Sequence, residues 1–345
     1  MQMKRLLLIF ITLHLSVGIA MADTNLYSGE VLVPSQSEAD RVEALPDALI
    51  QVLQKLSGKR EMPASPALDE ALGNADKLLL SFRYRRVERT GPDGTVIKEL
   101  RLIAQFMQST VDQLVQQAGL ARWRQERPAV QIWVAIDDGF NRQLKPVEFV
   151  YAWESMEDIA ATRGLPIGWP ELDDEELELI DMRLVWGGFT DYLVERGAPA
   201  DGVAIIAARR EGPQWVLRWN LSSGEQHWNW RNSDQELMFA LAQGIHQMTD
   251  RIAAENTIAA SDQGLWTVEI SIGEVKSAED YAGLLEYLQS LSVVTTVEVV
   301  AAKPGRVYFR LQLNASSEHL SEAFSRGTVL LPAKAGSEYE YEFLP

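Results

Sequence analysis

The sequence predicts an α/β protein, of the α+β kind, built from three small modules, and three observations point there. A strand, helix, hairpin, helix order can be read near each end of the chain. Between them lies a run, Ala129 to Ile136, apolar but for Gln131, whose length suits a strand covered on both faces. The 345 residues are 46% hydrophobic and 23% charged, which is enough apolar material for more than one core and too little charge for a disordered chain.

The chain opens on an export signal. Lys4 and Arg5 precede an apolar run from Leu6 to Ala20, and Ala20-Met21-Ala22 offers small residues where a signal peptidase reads, so cleavage is expected after Ala22. The run is shorter than the roughly 20 residues of a spanning helix. No cysteine follows it, so lipid attachment is not expected, and the reading is a periplasmic protein without a stable membrane anchor.

The first module is assigned to 23–127. Tyr27 to Val33 reads as a strand. Ser37 and Asp40 read as a capping box ahead of a helix carrying Leu45, Leu49, Val52, Leu53 and Leu56, with Gly58 as its stop and Pro46 as a kink or restart. Leu78 to Val87 and Val96 to Phe106 form a hairpin across Gly91-Pro92-Asp93-Gly94, and Thr110 to Leu120 is a second helix.

The central domain is assigned to 128–262. After the apolar strand and Asp137-Asp138-Gly139 come a helix near Phe149 to Ala161, the loop Arg163 to Pro170, the acidic run Asp173 to Asp181 and a helix at Gly188 to Arg196. Strands at Val203 to Ala208, Trp215 to Leu221 and Gln226 to Trp230 follow, and Ser233 with Glu236 caps a helix with the stripe Leu237, Leu241, Ile245, Met248 and Ile252.

The last module, 263–345, reads βαββαβ and is assigned as ferredoxin-like. Its strand Trp266 to Ile272 alternates, Ser277 and Asp280 cap a helix, and Val293 to Ala301 and Val307 to Leu313 form a hairpin across Lys303-Pro304-Gly305. A helix near Ser317 to Ser325, a strand at Thr328 to Leu331 and an edge strand at Glu338 to Phe343 complete it.

Charge and composition exclude several functions. With 32 basic and 49 acidic residues the formal charge is −17, and loss of Lys4 and Arg5 with the signal lowers it to −19, which argues against nucleic acid as a partner. Absent cysteines exclude disulfides, thiolate nucleophiles and cysteine-ligated metals. No phosphate loop, nucleophile elbow or paired-histidine motif occurs, so no catalytic, cofactor-binding or metal residue and no cofactor is assigned. Asp137 and Asp138, at the end of a buried strand, are the acidic site a hydrolase or carrier would use, as a cation ligand pair or an acid/base pair with one pKa raised; the favoured reading is a simple turn that stops the strand. Trp215, Trp219, Trp228 and Trp230 share the faces of one hairpin and could receive sugar rings or the aromatic anchors of a partner, or pack beneath the following helix.

Several stretches carry a resemblance. Val52-Leu53-Gln54-Lys55-Leu56-Ser57-Gly58, Trp123 with Arg127-Pro128, Arg163-Gly164-Leu165-Pro166 running to Pro170 and Asp173, and the Trp215 to Trp219 hairpin resemble, in that order, a family of exported bacterial proteins called domain of unknown function 2066. The resemblance implies a periplasmic place and no known activity. The middle segment is also similar in topology to the N-terminal domain of the Tol-system translocation protein and to peptidoglycan-synthase activator domains, which bind other envelope proteins. The expected function is therefore a non-catalytic interaction module in cell-envelope assembly or maintenance, with envelope proteins, or peptidoglycan, as partners. The alternatives are a carboxylate-dependent hydrolase of cell-wall glycan or peptide, and a small-ligand or metal-binding carrier.

Overall fold

The computed structural model describes residues 25–344 apart from 138, 140–141, 195, 197–199, 261–262, 328 and 334–338. The expected signal and its cleavage after Ala22 lie outside the described residues, as does Asp138. The architecture is a mixed α/β fold of several small sheets and helices. Among the described residues no helix is long and apolar enough to cross a membrane.

The N-terminal module comprises β1 (Ser28–Leu32), α1 (Glu38–Ser57), α2 (Pro66–Gly73), α3 (Ala75–Leu78), β2 (Leu79–Thr90), β3 (Val96–Phe106) and α4 (Gln108–Gln117), with an antiparallel sheet in the order β1-β3-β2. Ser37 Oγ accepts the Asp40 amide at 3.1 Å, but the expected capping box is half formed, because the Asp40 carboxylate accepts the Ser35 hydroxyl instead. The helix runs unbroken through Pro46. A proline in a helix interior costs about 3 kcal/mol, whereas each buried aliphatic side chain returns roughly 1.5–3 kcal/mol, and Leu45, Leu49, Val52, Leu53 and Leu56 are all buried against the sheet. Gly58 closes the helix at φ 71°, a left-handed cap that a side chain would resist.

The central domain follows a short β4 (Arg122–Trp123). Its elements are β5 (Val130–Asp137), β6 (Arg142–Leu144), α5 (Val150–Arg163), β7 (Ile167–Gly168), α6 (Asp174–Glu178), α7 (Met182–Gly187), α8 (Thr190–Val194), β8 (Gly202–Glu211), β9 (Gln214–Ser223), β10 (Gln226–Asp234) and α9 (Leu237–Asn256), after which comes β11 (Thr257–Ile258). The sheet order is β10-β9-β8-β5-β6, with β7 also beside β5; β5 runs parallel to β7 and β8. Every residue of β5 is buried. Ile132, Val134 and Ile136 face α5 and α9, while Trp133 and Ala135 face the layer of α7 and α8.

Two local expectations fail here. Ser233 is paired in β10 and caps nothing; α9 starts at Leu237, and Asp234 accepts the Glu236 amide at 3.0 Å. The helix expected over Gly188 to Arg196 is shorter, α8 over Thr190–Val194, because Gly188 at φ 81° serves as the left-handed cap of α7 instead of starting a new helix.

The C-terminal module contains β12 (Gln263–Val275), α10 (Ala278–Ser290), β13 (Val294–Lys303), β14 (Gly305–Ala315), α11 (Ser317–Arg326), β15 (Leu330–Pro332) and β16 (Glu340–Phe343). Ser277 and Asp280 form the full capping box, at 3.0 and 2.9 Å. The sheet order is β13-β14-β12-β16-β15, which departs from the ferredoxin-like arrangement. There the strand after the second helix lies directly beside the first; here β15 is one place further out, and β16 lies between, parallel to β12. Periodicity found both strands but could not rank them, since Tyr341 and Phe343 bury as well as Leu330 does.

Two of the ties between modules lie at the ends of the central domain. β4 pairs antiparallel with β11, so the chain entering the central domain runs beside the chain leaving it. Glu126 accepts the Ser292 amide and hydroxyl at 2.8 and 2.7 Å, and Arg124 pairs with Glu322 at 2.5 Å, across to the C-terminal module.

Candidate functional site

The aromatic hairpin is interior. Trp219 is 0% exposed and stacks on Trp230 with ring centroids 5.3 Å apart and planes inclined by 12°. Its Nε1 donates to Asn232 Oδ1 at 2.8 Å, and the α9 backbone lies so close at Gly244 that a Cβ there would overlap the indole. Trp215 is buried edge-on against Phe149, 5.6 Å between centroids, and Trp228 is partly buried on the same core. Trp215, Trp219 and Trp230 therefore offer no open platform for a sugar ring, because their faces are used for packing in the core with α9 and α5, and Trp228 is left half-buried at its margin.

Asp137 is held as a carboxylate. Its Oδ1 accepts the Gly139 amide at 3.0 Å, and its Oδ2 accepts from Arg209 at 3.0 Å and Arg142 at 3.4 Å. The Gly139 hydrogen bond, followed by those of the two guanidiniums, keeps its carboxyl below the usual carboxylate range. That is the reverse of the raised pKa an acid/base pair requires. The acidic run is helix-starting structure, since Asp173 caps α6 in a reciprocal box with Glu176. Among the described residues no three histidines and acids are grouped to hold a metal ion.

The stretches Lys55 to Gly58, Trp123 to Arg127 and Arg163 to Gly164 meet in space, at the joint between the N-terminal module and the central domain. Arg163 is 0% exposed and donates to the Gly58 carbonyl at 2.7 Å, to Asp250 Oδ1 at 2.6 Å and to His246 Nδ1 at 3.0 Å. Arg127 donates to the Gly164 carbonyl at 2.6 Å and to the Lys55 carbonyl, with its guanidinium 4.1 Å from the Trp123 ring centroid. Both cations thus sit on carbonyls at the C-terminal ends of α1 and α5, where helix dipoles favour positive charge. Lys55 is buried beside them and donates to the Ser28 carbonyl at 2.8 Å; burial, with the Arg127 charge adding, pulls its pKa down to about 8.

His246 reports on this joint. Because Arg163 donates to Nδ1, the ring is neutral with its proton on Nε2, and burial with the charges of Arg60 and Arg163 lowers its pKa from 6.5 to about 4, against an opposing pull from Asp250. The unfolded chain accepts a proton near 6.5 that the folded one refuses until about 4, so folding stability falls as pH drops through that window. The side chain is partly solvated, which reduces the loss to on the order of 1 kcal/mol. Denaturant titrations of the wild type and His246→Gln between these limits check it: the variant's curve should be flatter by that amount.

The open surface lies elsewhere, on β2. This strand is the edge of its sheet, with no partner on its outer side among the described residues. Leu80 and Phe82 are 60% and 43% exposed, and Phe82 is covered only in part, by the Arg41 guanidinium 4.4 Å from its ring centroid. Towards its end the strand is occupied by α5: Arg89 pairs with Asp158, and the Thr90 amide donates to Glu154 at 3.2 Å. Sequence reading identified this strand but not its position, because a hairpin pattern does not say which arm is left at the edge.

The family model that matches is "Domain of unknown function (DUF8605)", over residues 20–124. It covers the N-terminal module through β4 and replaces the expected resemblance to domain of unknown function 2066 across most of the chain. No curated protein matches the chain, so the expected kinship of the middle segment with the Tol-system and synthase-activator domains has no support. A solved structure described as "Crystal structure of uncharacterized protein" aligns 37% of this chain with 91% of that one at 13% identity and a TM-score of 0.19, a likeness too slight to carry an argument.

Proposed function

We propose that the chain is an exported, non-catalytic interaction protein of the bacterial cell envelope that meets its protein partners through the N-terminal module. The observation that carries this reading is β2: an exposed sheet edge flanked by the uncovered side chains of Leu80 and Phe82. Unpaired edges attract strands, and exposed apolar side chains beside one add side-chain specificity to main-chain affinity. The basic and apolar start of the sequence, with small residues at its end, supports export. The hydrolase alternative is weakened by Asp137, whose carboxyl is stabilised in its charged form. We read the C-terminal module as a split-βαβ unit of ferredoxin type whose last strand has been displaced by β16.

A photo-crosslinking amino acid in place of Leu80, in intact cells, tests the docking reading. The expected result is a covalent adduct with an identified envelope protein, absent when the same group replaces the exposed Val147 of the central domain. Equal adducts from both positions, or none from Leu80, would overturn it.

A further inference from the structure

We propose that β2 accepts, as a fourth strand of the N-terminal sheet, an extended acidic segment of another protein, and that its charge excludes a second copy of this chain. The inference rests on the docking reading above and adds the mode and chemistry of the partner.

The ladder fixes which main-chain groups are free. Gly91 donates its amide to the Thr95 carbonyl at 2.7 Å, and the register from Ser81↔Gln105 to Thr90↔Val96 is unbroken. In an antiparallel pair, inward and outward amides alternate. The odd-numbered residues of β2 therefore bond β3, and the amides and carbonyls of Phe82, Tyr84, Arg86 and Glu88 point away from the sheet. The Thr90 amide, next in that series, confirms the phase by reaching outward to Glu154. The free run is long enough for a strand of ordinary length.

The side chains select the occupant. Phe82 and Tyr84 stand opposite Ala104 and Leu102, on the core face, where their T-shaped pair, 5.9 Å between centroids, continues the apolar core to the edge. Arg83, Arg85 and Arg89 stand on the other face. In all, β2 carries four arginines and one glutamate, in a chain whose formal charge is −17. Arg85 is answered by Glu30 and Arg89 by Asp158, while Arg83 and Arg86 are exposed and have no ion pair among the described residues. A strand added here would place alternate side chains beside Phe82 and Tyr84 and the others beside Arg83 and Arg85. The best fit alternates apolar and acidic residues. Two copies pairing β2 to β2 would instead set arginines against arginines, and like charges across a ladder are destabilising.

The probes are two synthetic peptides, one alternating glutamate with valine and one alternating lysine with valine, titrated into the whole protein and followed by backbone NMR. The expected result is saturable binding of the glutamate peptide, with the largest shifts at the Phe82, Tyr84 and Arg86 amides, about tenfold weaker for the Arg83→Glu, Arg86→Glu double variant. Arg86→Pro and Arg86→Gln separate strand addition from charge, since both remove the cation and only the first removes an outward amide; the proline variant should bind more weakly. Equal binding of both peptides, equal binding by the proline and glutamine variants, or a concentration-dependent dimer abolished by Arg86→Pro would overturn the proposal. If Leu80 crosslinks an envelope protein while the peptides show no charge preference, the docking reading stands and the acidic strand falls.

Discussion

Replacing Arg163 with methionine should lower the unfolding free energy by about 3 kcal/mol, the cost of breaking a buried hydrogen-bonded charge cluster. Methionine keeps most of the stem volume, so the loss is chiefly polar. The Gly58 carbonyl and His246 Nδ1 would each lose their 2.7 and 3.0 Å donor, and Asp250 its partner. Asp250→Asn tests the same cluster from its solvated side: its side chain is half exposed, so that change should cost well under about 1 kcal/mol. Urea denaturation of both variants measures the difference. An Arg163→Met loss no larger than that of Asp250→Asn would mean that the joint is held by its apolar contacts, and that Arg163 merely fits between them.

The second large effect is expected at Trp219. Truncation to alanine in a fully buried, stacked position should cost roughly 3–5 kcal/mol. The reciprocal change, Gly244→Ala, pushes a methyl group into the same indole and should cost about 1–3 kcal/mol. The two sites are coupled through one contact, so Trp219→Phe, which shortens the ring, should recover part of the Gly244→Ala loss. Thermal unfolding of the two single variants and the double checks this. Strict additivity would mean that the α9 backbone and the indole do not press on each other.

These two sites mark what the sequence could reveal. Strands and helices with a clean period were legible: the caps at Ser37 and Ser277 and the mostly apolar β5 are local facts, decided by neighbours within a few residues. Ser233 misled because its spacing to Glu236 is a cap only if the preceding strand has already ended, and β10 continues through Asp234. Sheet order was not legible, since the positions of β16 and β2 depend on which strands win partners across the fold. The candidate site suffered most. Tryptophans with the spacing of a binding face are equally spaced for a core, and only the nearness of Gly244 decides between them. In the sequence the joint is a string of separate motifs, Lys55 to Gly58, Arg127 and Arg163, with nothing in their spacing to say that they converge.

The pairing of β4 with β11 has a kinetic consequence. Trp123 and Thr257 are partners, so the two-residue ribbon closes a loop containing the entire central domain. Closing an unstructured loop of about 130 residues costs several kcal/mol of chain entropy, more than so short a ribbon returns. The ribbon can therefore form only after the central domain has folded and brought its own ends together. The N-terminal module, whose core and β2 edge are built from residues 27–120 alone, has no need to wait for that closure.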